Sequence, residues 1–178
     1  MNLLLHICCA PCSIYPIERL KEMGYTITGY FYNPNIHPYQ EFKRRRDTLK
    51  QYASLIDLEV IFENDYPLTE FLKGSLEYPG VRCGHCYETR LEKSFQKAKT
   101  LGINNVSTTL LVSPYQKHDL IKEIGLNLAV KYGINFVYED FRPGYRAAYQ
   151  KAKELDLYRQ PYCGCIFSEK ERYYKEGK

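Results

Sequence analysis

Leu3-Leu4-Leu5-His6-Ile7-Cys8-Cys9 is an apolar, strand-like run that ends in two adjacent thiols. Four further β-rich runs, over residues 26–32, 58–62, 105–110 and 135–139, follow this first strand at 3–8. Helical stretches lie between and after them, over 16–23, 39–56, 68–76, 86–100, 115–132, 145–155 and 169–176. Strands alternating with helical segments of this kind form βαβ units around a parallel sheet with helices on both faces, so the expected class is α/β. Local signals agree. Ser113-Pro114-Tyr115-Gln116 has the order of a capped helix start, Ser168 and Glu171 form a second capping box, and Gly24, Gly102 and Gly133 each follow a helix as a stop. In open α/β sheets ligands bind beyond the carboxyl ends of the strands. Cys8 and Cys9 stand there after the first strand, and Asp140 stands there after the last.

The 178 residues read as a single domain, 1–178, with no internal repeat, low-complexity tract or linker. Residues 160–178 form a C-terminal segment expected to fold back and supply cysteines. No apolar run approaches the roughly 20 residues of a membrane span. Residues 1–7 are too short, and too uncharged in front, for a secretory signal. The expected address is the cytoplasm, where cysteines stay reduced and close pairs read as metal ligands or redox groups before disulfides. A formal charge of +4 is mildly basic, and 18 tyrosines with no tryptophan offer stacking surfaces as well as core.

Six of the seven cysteines form three tight pairs: Cys8-Cys9, Cys83-Gly-His-Cys86 and Cys163-Gly-Cys165. Short spacings let two sulfurs reach one soft metal, so three distant loops are expected to converge. Three chemistries are open at this point. A structural zinc accounts for four thiols and leaves Cys8-Cys9 idle, since adjacent cysteines do not easily share one tetrahedral ion. An iron–sulfur cluster, with a second metal or a reactive pair beside it, uses all six. Metal-free thiol redox is the third. Cys12 either joins the site or is a small buried residue. The start of a helix favours negative charge, so the thiols around residues 8–12 are expected to ionise.

Other residues read less sharply. His6 reads as a core residue and His85 as a possible partner of a sulfur, while His37 and His118 read as surface residues. Asp140 reads either as a metal ligand or proton donor, or as a helix cap. Phe42-Lys43-Arg44-Arg45-Arg46 covers all faces of a helix, so it is either solvated or a set of phosphate contacts, together with Arg82, Arg90, Arg142 and Arg146.

His6-Ile7-Cys8-Cys9-Ala10-Pro11-Cys12, Tyr32-Asn33-Pro34-Asn35-Ile36-His37-Pro38, Arg82-Cys83-Gly84-His85-Cys86-Tyr87, Asp140-Phe141-Arg142 and Tyr162-Cys163-Gly164-Cys165 together resemble the cobalamin-independent epoxyqueuosine reductase family (QueH). The resemblance covers nearly the whole chain. It implies a Rossmann-like fold in its adenine-nucleotide-hydrolase-like (HUP) variant, and an enzyme that removes the epoxide oxygen of epoxyqueuosine in tRNA to give queuosine. It also implies a [4Fe-4S] cluster and an additional iron ion. On this resemblance Cys83, Cys86, Cys163 and Cys165 hold the cluster, Cys8 and Cys9 hold a second iron or face the substrate, and Asp140 completes the ligand set. The implied partners are the anticodon loop of tRNA, with Tyr32, Tyr87, Tyr115 and Tyr145 as stacking residues, and a small electron carrier such as ferredoxin or flavodoxin. Two rivals are an ATP-dependent tRNA thiolase of the same fold and a zinc-stabilised RNA-binding module. Against the first, the place of a glycine-rich phosphate loop after the first strand holds Cys8-Cys9-Ala10-Pro11-Cys12.

Overall fold

A computed structural model describes residues 1–77 and 82–175. Its elements in chain order are β1 (Asn2–His6), α1 (Ala10–Glu22), β2 (Thr26–Phe31), α2 (Tyr39–Leu55), β3 (Val60–Phe62), α3 (Leu68–Glu77), α4 (Arg82–Leu101), β4 (Asn105–Thr108), α5 (His118–Tyr132), β5 (Asn135–Phe136), α6 (Tyr145–Glu154) and α7 (Ile166–Tyr173). The five strands form one parallel sheet in the order β3-β2-β1-β4-β5. β1 lies at its centre, with Leu4 opposite Thr28 on β2 and Val106 on β4. Leu3, Leu4 and Leu5 are wholly buried. A strand covered on both faces is apolar at nearly every position, which is why its sequence shows no alternation. α1 packs on α2 and α6, and α4 packs on α3 and α5, so helices flank the sheet.

The order of strands reverses between β1 and β4, the point beyond whose carboxyl ends open α/β sheets bind ligands. The backbone N–H of Cys8, just past β1, donates to Thr109 Oγ1, just past β4, at 3.1 Å. The cysteine turn is thereby tied across the point where the topology changes direction.

Four helix starts differ from expectation, and three of the shifts place a cysteine. α1 begins at Ala10, not at residue 16. Pro11 is accepted in the first turn, where its missing N–H has no intrahelical partner to lose, and Pro16 lies inside the helix. Cys9 becomes the N-cap, and Cys12 falls three residues after it, on the same side of the first turn. α4 begins at Arg82 rather than 86, which sets Cys83 and Cys86 one turn apart on one helix face. α7 begins at Ile166 rather than 169. The Cys165 sulfur caps it by accepting from the Ser168 N–H at 3.4 Å, and the Ser168 hydroxyl donates back to the Cys165 carbonyl. Glu171 therefore pairs with Arg82 instead of closing a capping box. The end of that expected helix, Glu176, lies outside the described residues. α5 begins at His118 rather than 115, because residues 109–112 form a 3-10 turn and the Gln116 side chain is held elsewhere.

One close approach fixes how α5 sits on the sheet. A Cβ at Gly125 would lie 2.3 Å from the buried Phe136 ring on β5. Gly125→Ala, a change that stabilises an unobstructed helix by about 1 kcal/mol, is therefore expected to lower stability here. Urea unfolding with an unchanged or raised midpoint would contradict this packing.

Candidate metal and substrate site

Among the described residues, Cys8, Cys9 and Cys12 are the group of three or more potential ligands whose donor atoms all lie within 4.8 Å of one another. The Cys8 and Cys9 sulfurs stand 3.8 Å apart. Thiolates around one tetrahedral ion at Zn–S of about 2.3 Å stand about 3.8 Å apart. Adjacent cysteines can thus share an ion here, contrary to the expectation from sequence, because the chain turns from β1 into α1 between them. The site joins Cys12 to the pair.

Their protonation is uneven. Hydrogen bonds from the Cys12 and Cys9 thiols, then from Thr109, hold Cys8 well below the ordinary thiol range. Burial pushes Cys9 up, and the bond that Cys12 gives to Cys8 pushes Cys12 up. Hydrogen bonding within the group thus favours one thiolate, Cys8, where the sequence suggested that all three ionise.

The other four paired cysteines meet in a second place. Cys83, Cys86, Cys163 and Cys165 line one pocket of about 330 Å³ together with Phe71, Ser75, Arg82 and Gln116. Their sulfurs do not draw within 4.8 Å of one another as a group. That spacing is wider than a single zinc ion requires and suits a larger inorganic unit. Burial raises both helix thiols, Cys86 to about 12.

Two buried arginines stand between the two thiol groups. Arg90 is 1% exposed, and its guanidinium donates to the Cys86 carbonyl and, at 3.2 Å, to the Cys86 sulfur. Its electrostatic neighbours include Cys86, Cys163 and Cys8. Among the described residues no carboxylate lies within ion-pair distance of it. A buried cation requires a counter-charge, and the sulfurs are the groups in place to provide it, Cys8 as a thiolate and Cys86 once it ligates a metal. Arg45 is 2% exposed and donates to Glu41 at 2.7 Å, to the Cys163 carbonyl at 2.9 Å and to the Tyr162 carbonyl at 3.0 Å. It was one of four cations in a basic run, and its role is internal.

The loop before α2 completes this hold on the C-terminal segment. The His37 N–H donates to the Gly164 carbonyl at 2.8 Å, the Ile166 N–H donates to His37 Nδ1, and the Tyr162 hydroxyl donates to the His37 carbonyl. Gly164 has φ +138°, a conformation open to glycine, which accounts for its place between Cys163 and Cys165. Gln160 links the two groups of sulfurs along the chain, since its amide nitrogen donates to Cys9 at 3.0 Å and Cys12 at 3.4 Å.

Several expected residues lie elsewhere. His37 and His118, expected at the surface, are buried; His118 Nε2 donates to the Ser113 carbonyl. His6 is the core residue expected, with Nε2 donating to the Tyr32 carbonyl and Nδ1 accepting from Thr108, and burial lowers it to about 4. His85 packs on Phe71. The Asp140 carboxylate is held by Arg142 at 2.6 and 2.8 Å, which lowers it to about 2, and it is outside the close-spaced group of potential ligands. Tyr87 is buried and donates to Gln116, and Tyr32 stacks on Tyr30, so neither is a free platform.

A family model described as epoxyqueuosine reductase QueH matches residues 3–171. The chain belongs to the QueH family. Curated members include epoxyqueuosine reductase QueH of Dehalococcoides mccartyi, 38% identical over 98% of this chain and 96% of that protein. That of Thermotoga maritima is 35% identical over 99% and 95%, and that of Streptococcus pyogenes 36% identical over 95% and 71%. Among solved structures, one described as the predicted subunit of tRNA methyltransferase from Methanocaldococcus jannaschii superimposes with a TM-score of 0.57 at 17% identity, over 86% of this chain and 76% of that one. That likeness concerns the fold, a Rossmann-like parallel sheet with helices on both faces. No described helix is long and apolar enough to cross a membrane.

For this QueH chain, sequence reasoning missed Gln116, Gln160 and Thr109, and it read Arg45 and Arg90 as solvated residues or phosphate contacts where both are buried beside the cysteines. Arg90 had a signal, since it follows Cys86 by four residues on one helix. Arg45→Met is expected to loosen residues 160–165. Alkylation of Cys9 and Cys12, followed by mass spectrometry, should speed up, and amides 160–165 should lose protection from hydrogen exchange. Thiols shielded as in the wild type would contradict the clamp.

Proposed function

We propose that this chain is the enzyme that reduces epoxyqueuosine in tRNA to queuosine, the last step of queuosine biosynthesis. The observation that carries the reading is the meeting of two thiol groups at one end of the sheet, in a member of the QueH family. Cys83, Cys86, Cys163 and Cys165 would hold a [4Fe-4S] cluster, supported by their shared pocket, their wide spacing and the buried Arg90 cation beside them. Cys8 and Cys9, with Cys12, would hold an additional iron ion, supported by the close approach of their sulfurs.

Conversion of an epoxide to an alkene breaks two C–O bonds, takes up two electrons and two protons, and releases water. When bound, the iron centres would supply electrons and a Lewis-acidic contact for the epoxide oxygen. The electrons would come from a small carrier of the ferredoxin or flavodoxin class in the cytoplasm. The protein's own part is to hold charge and exclude water. Arg90 and Arg45 offset the negative charge of the thiolates from within, where a low dielectric makes each interaction strong. Thr109 and Gln160 donate to the sulfurs of Cys8, Cys9 and Cys12 and so fix their directions. Asp140, tied to Arg142, is given no part in this scheme.

Two experiments test this reading. Anaerobic enzyme with a reductant should convert epoxyqueuosine to queuosine in nucleoside digests of tRNA, and persistence of the epoxide would contradict the assignment. Metal analysis should find several irons with acid-labile sulfide, and Cys83→Ala should bleach the broad visible absorption. One zinc per chain without iron would favour the RNA-binding module instead.

A further inference from the structure

A second cavity, of about 380 Å³, is lined by Pro11, Cys12, Tyr145, Tyr149, Arg159 and Gln160, among others. It shares no lining residue with the four-cysteine pocket, and it reaches the three-cysteine group through Cys12 and Gln160. Gln160 is the telling residue. Its amide nitrogen is held by the sulfurs of Cys9 and Cys12, which leaves Oε1 as a buried acceptor with no partner. Such an atom is costly unless something donates to it.

The cavity's other walls suit a flat ring with a phosphate attached. Tyr145 meets the highly exposed Tyr115 edge-on, with ring centres 6.2 Å apart. Tyr149 is 43% exposed and has two cations over its ring, Lys153 at 5.0 Å and Arg159 at 5.5 Å. Aromatic faces receive unstacked bases, and cations beside them meet the backbone of a single strand.

We propose that the cavity between α1 and α6 receives the splayed-out modified nucleoside of the RNA, with Tyr149 and Arg159 forming its mouth and Gln160 Oε1 accepting a hydrogen bond from the substrate beside the cysteine group. The inference rests on the proposed function and names the path by which that substrate reaches the thiols. It also assigns the RNA to the face carrying α6.

The test uses anaerobic, iron-loaded enzyme and an anticodon stem-loop carrying epoxyqueuosine. Tyr149→Ala and Arg159→Ala should each weaken its binding by about fivefold or more, with iron content and visible spectrum unchanged. Tyr149→Phe, which keeps the ring, should bind as the wild type does. If the wild type turns over the stem-loop and both alanine variants bind it equally well, the inference is overturned while the function stands. If the wild type leaves the stem-loop unchanged, the functional reading falls and takes the inference with it.

Discussion

A single guanidinium, that of Arg45, determines whether the last cysteine pair can join the others. Its three nitrogens reach Glu41 and the carbonyls of Tyr162 and Cys163. Glu41 also accepts from the Tyr158 hydroxyl at 2.7 Å, so a carboxylate, a cation and two backbone groups form one buried network. Burying that charge is costly, and the cost is offset only while every donor is matched. The network therefore specifies one path for residues 158–165. That path sets Gln160 against the first thiol group and Cys163 and Cys165 beside Cys83 and Cys86.

The rest of the site follows from ordinary backbone geometry. A cysteine at the N-cap of α1 and another three residues later meet because the first helical turn brings those positions together. Cys83 and Cys86 meet for the same reason on α4. The sheet adds direction. Its order places the end of β1 beside the start of the segment after β4, where Thr109 can hold Cys8 through both backbone and sulfur. Arg90, carried by α4, then lies between the groups with sulfur as its source of counter-charge.

How legible this was in the sequence depended on the range of the signal. The central strand could be read because a parallel strand buried on both faces is largely apolar, as Leu3-Leu4-Leu5 is, and the other four because short β-rich runs alternate with helical stretches. The cysteine pairs were legible by spacing. The starts of α2, α3 and α6 were legible too, but those of α1, α4, α5 and α7 were not: Pro16 and Ser113 resemble local start signals, while the N-caps of α1, α5 and α7 are Cys9, Lys117 and Cys165. Arg45 was hidden in a run of cations because its partners lie 117 and 118 residues away. His37 looked like a loop residue because residue type says nothing of the segment that later covers it. In each case a tertiary contact overrode a local cue.

The central claim is that two distinct thiol groups at the end of β1 hold iron. Anomalous scattering at the iron absorption edge, from crystals grown without oxygen, measures this most directly. The account predicts separate iron peaks in the pocket of Cys83, Cys86, Cys163 and Cys165 and at Cys8, Cys9 and Cys12. A single zinc peak among the four, with nothing at Cys8–Cys12, would contradict it.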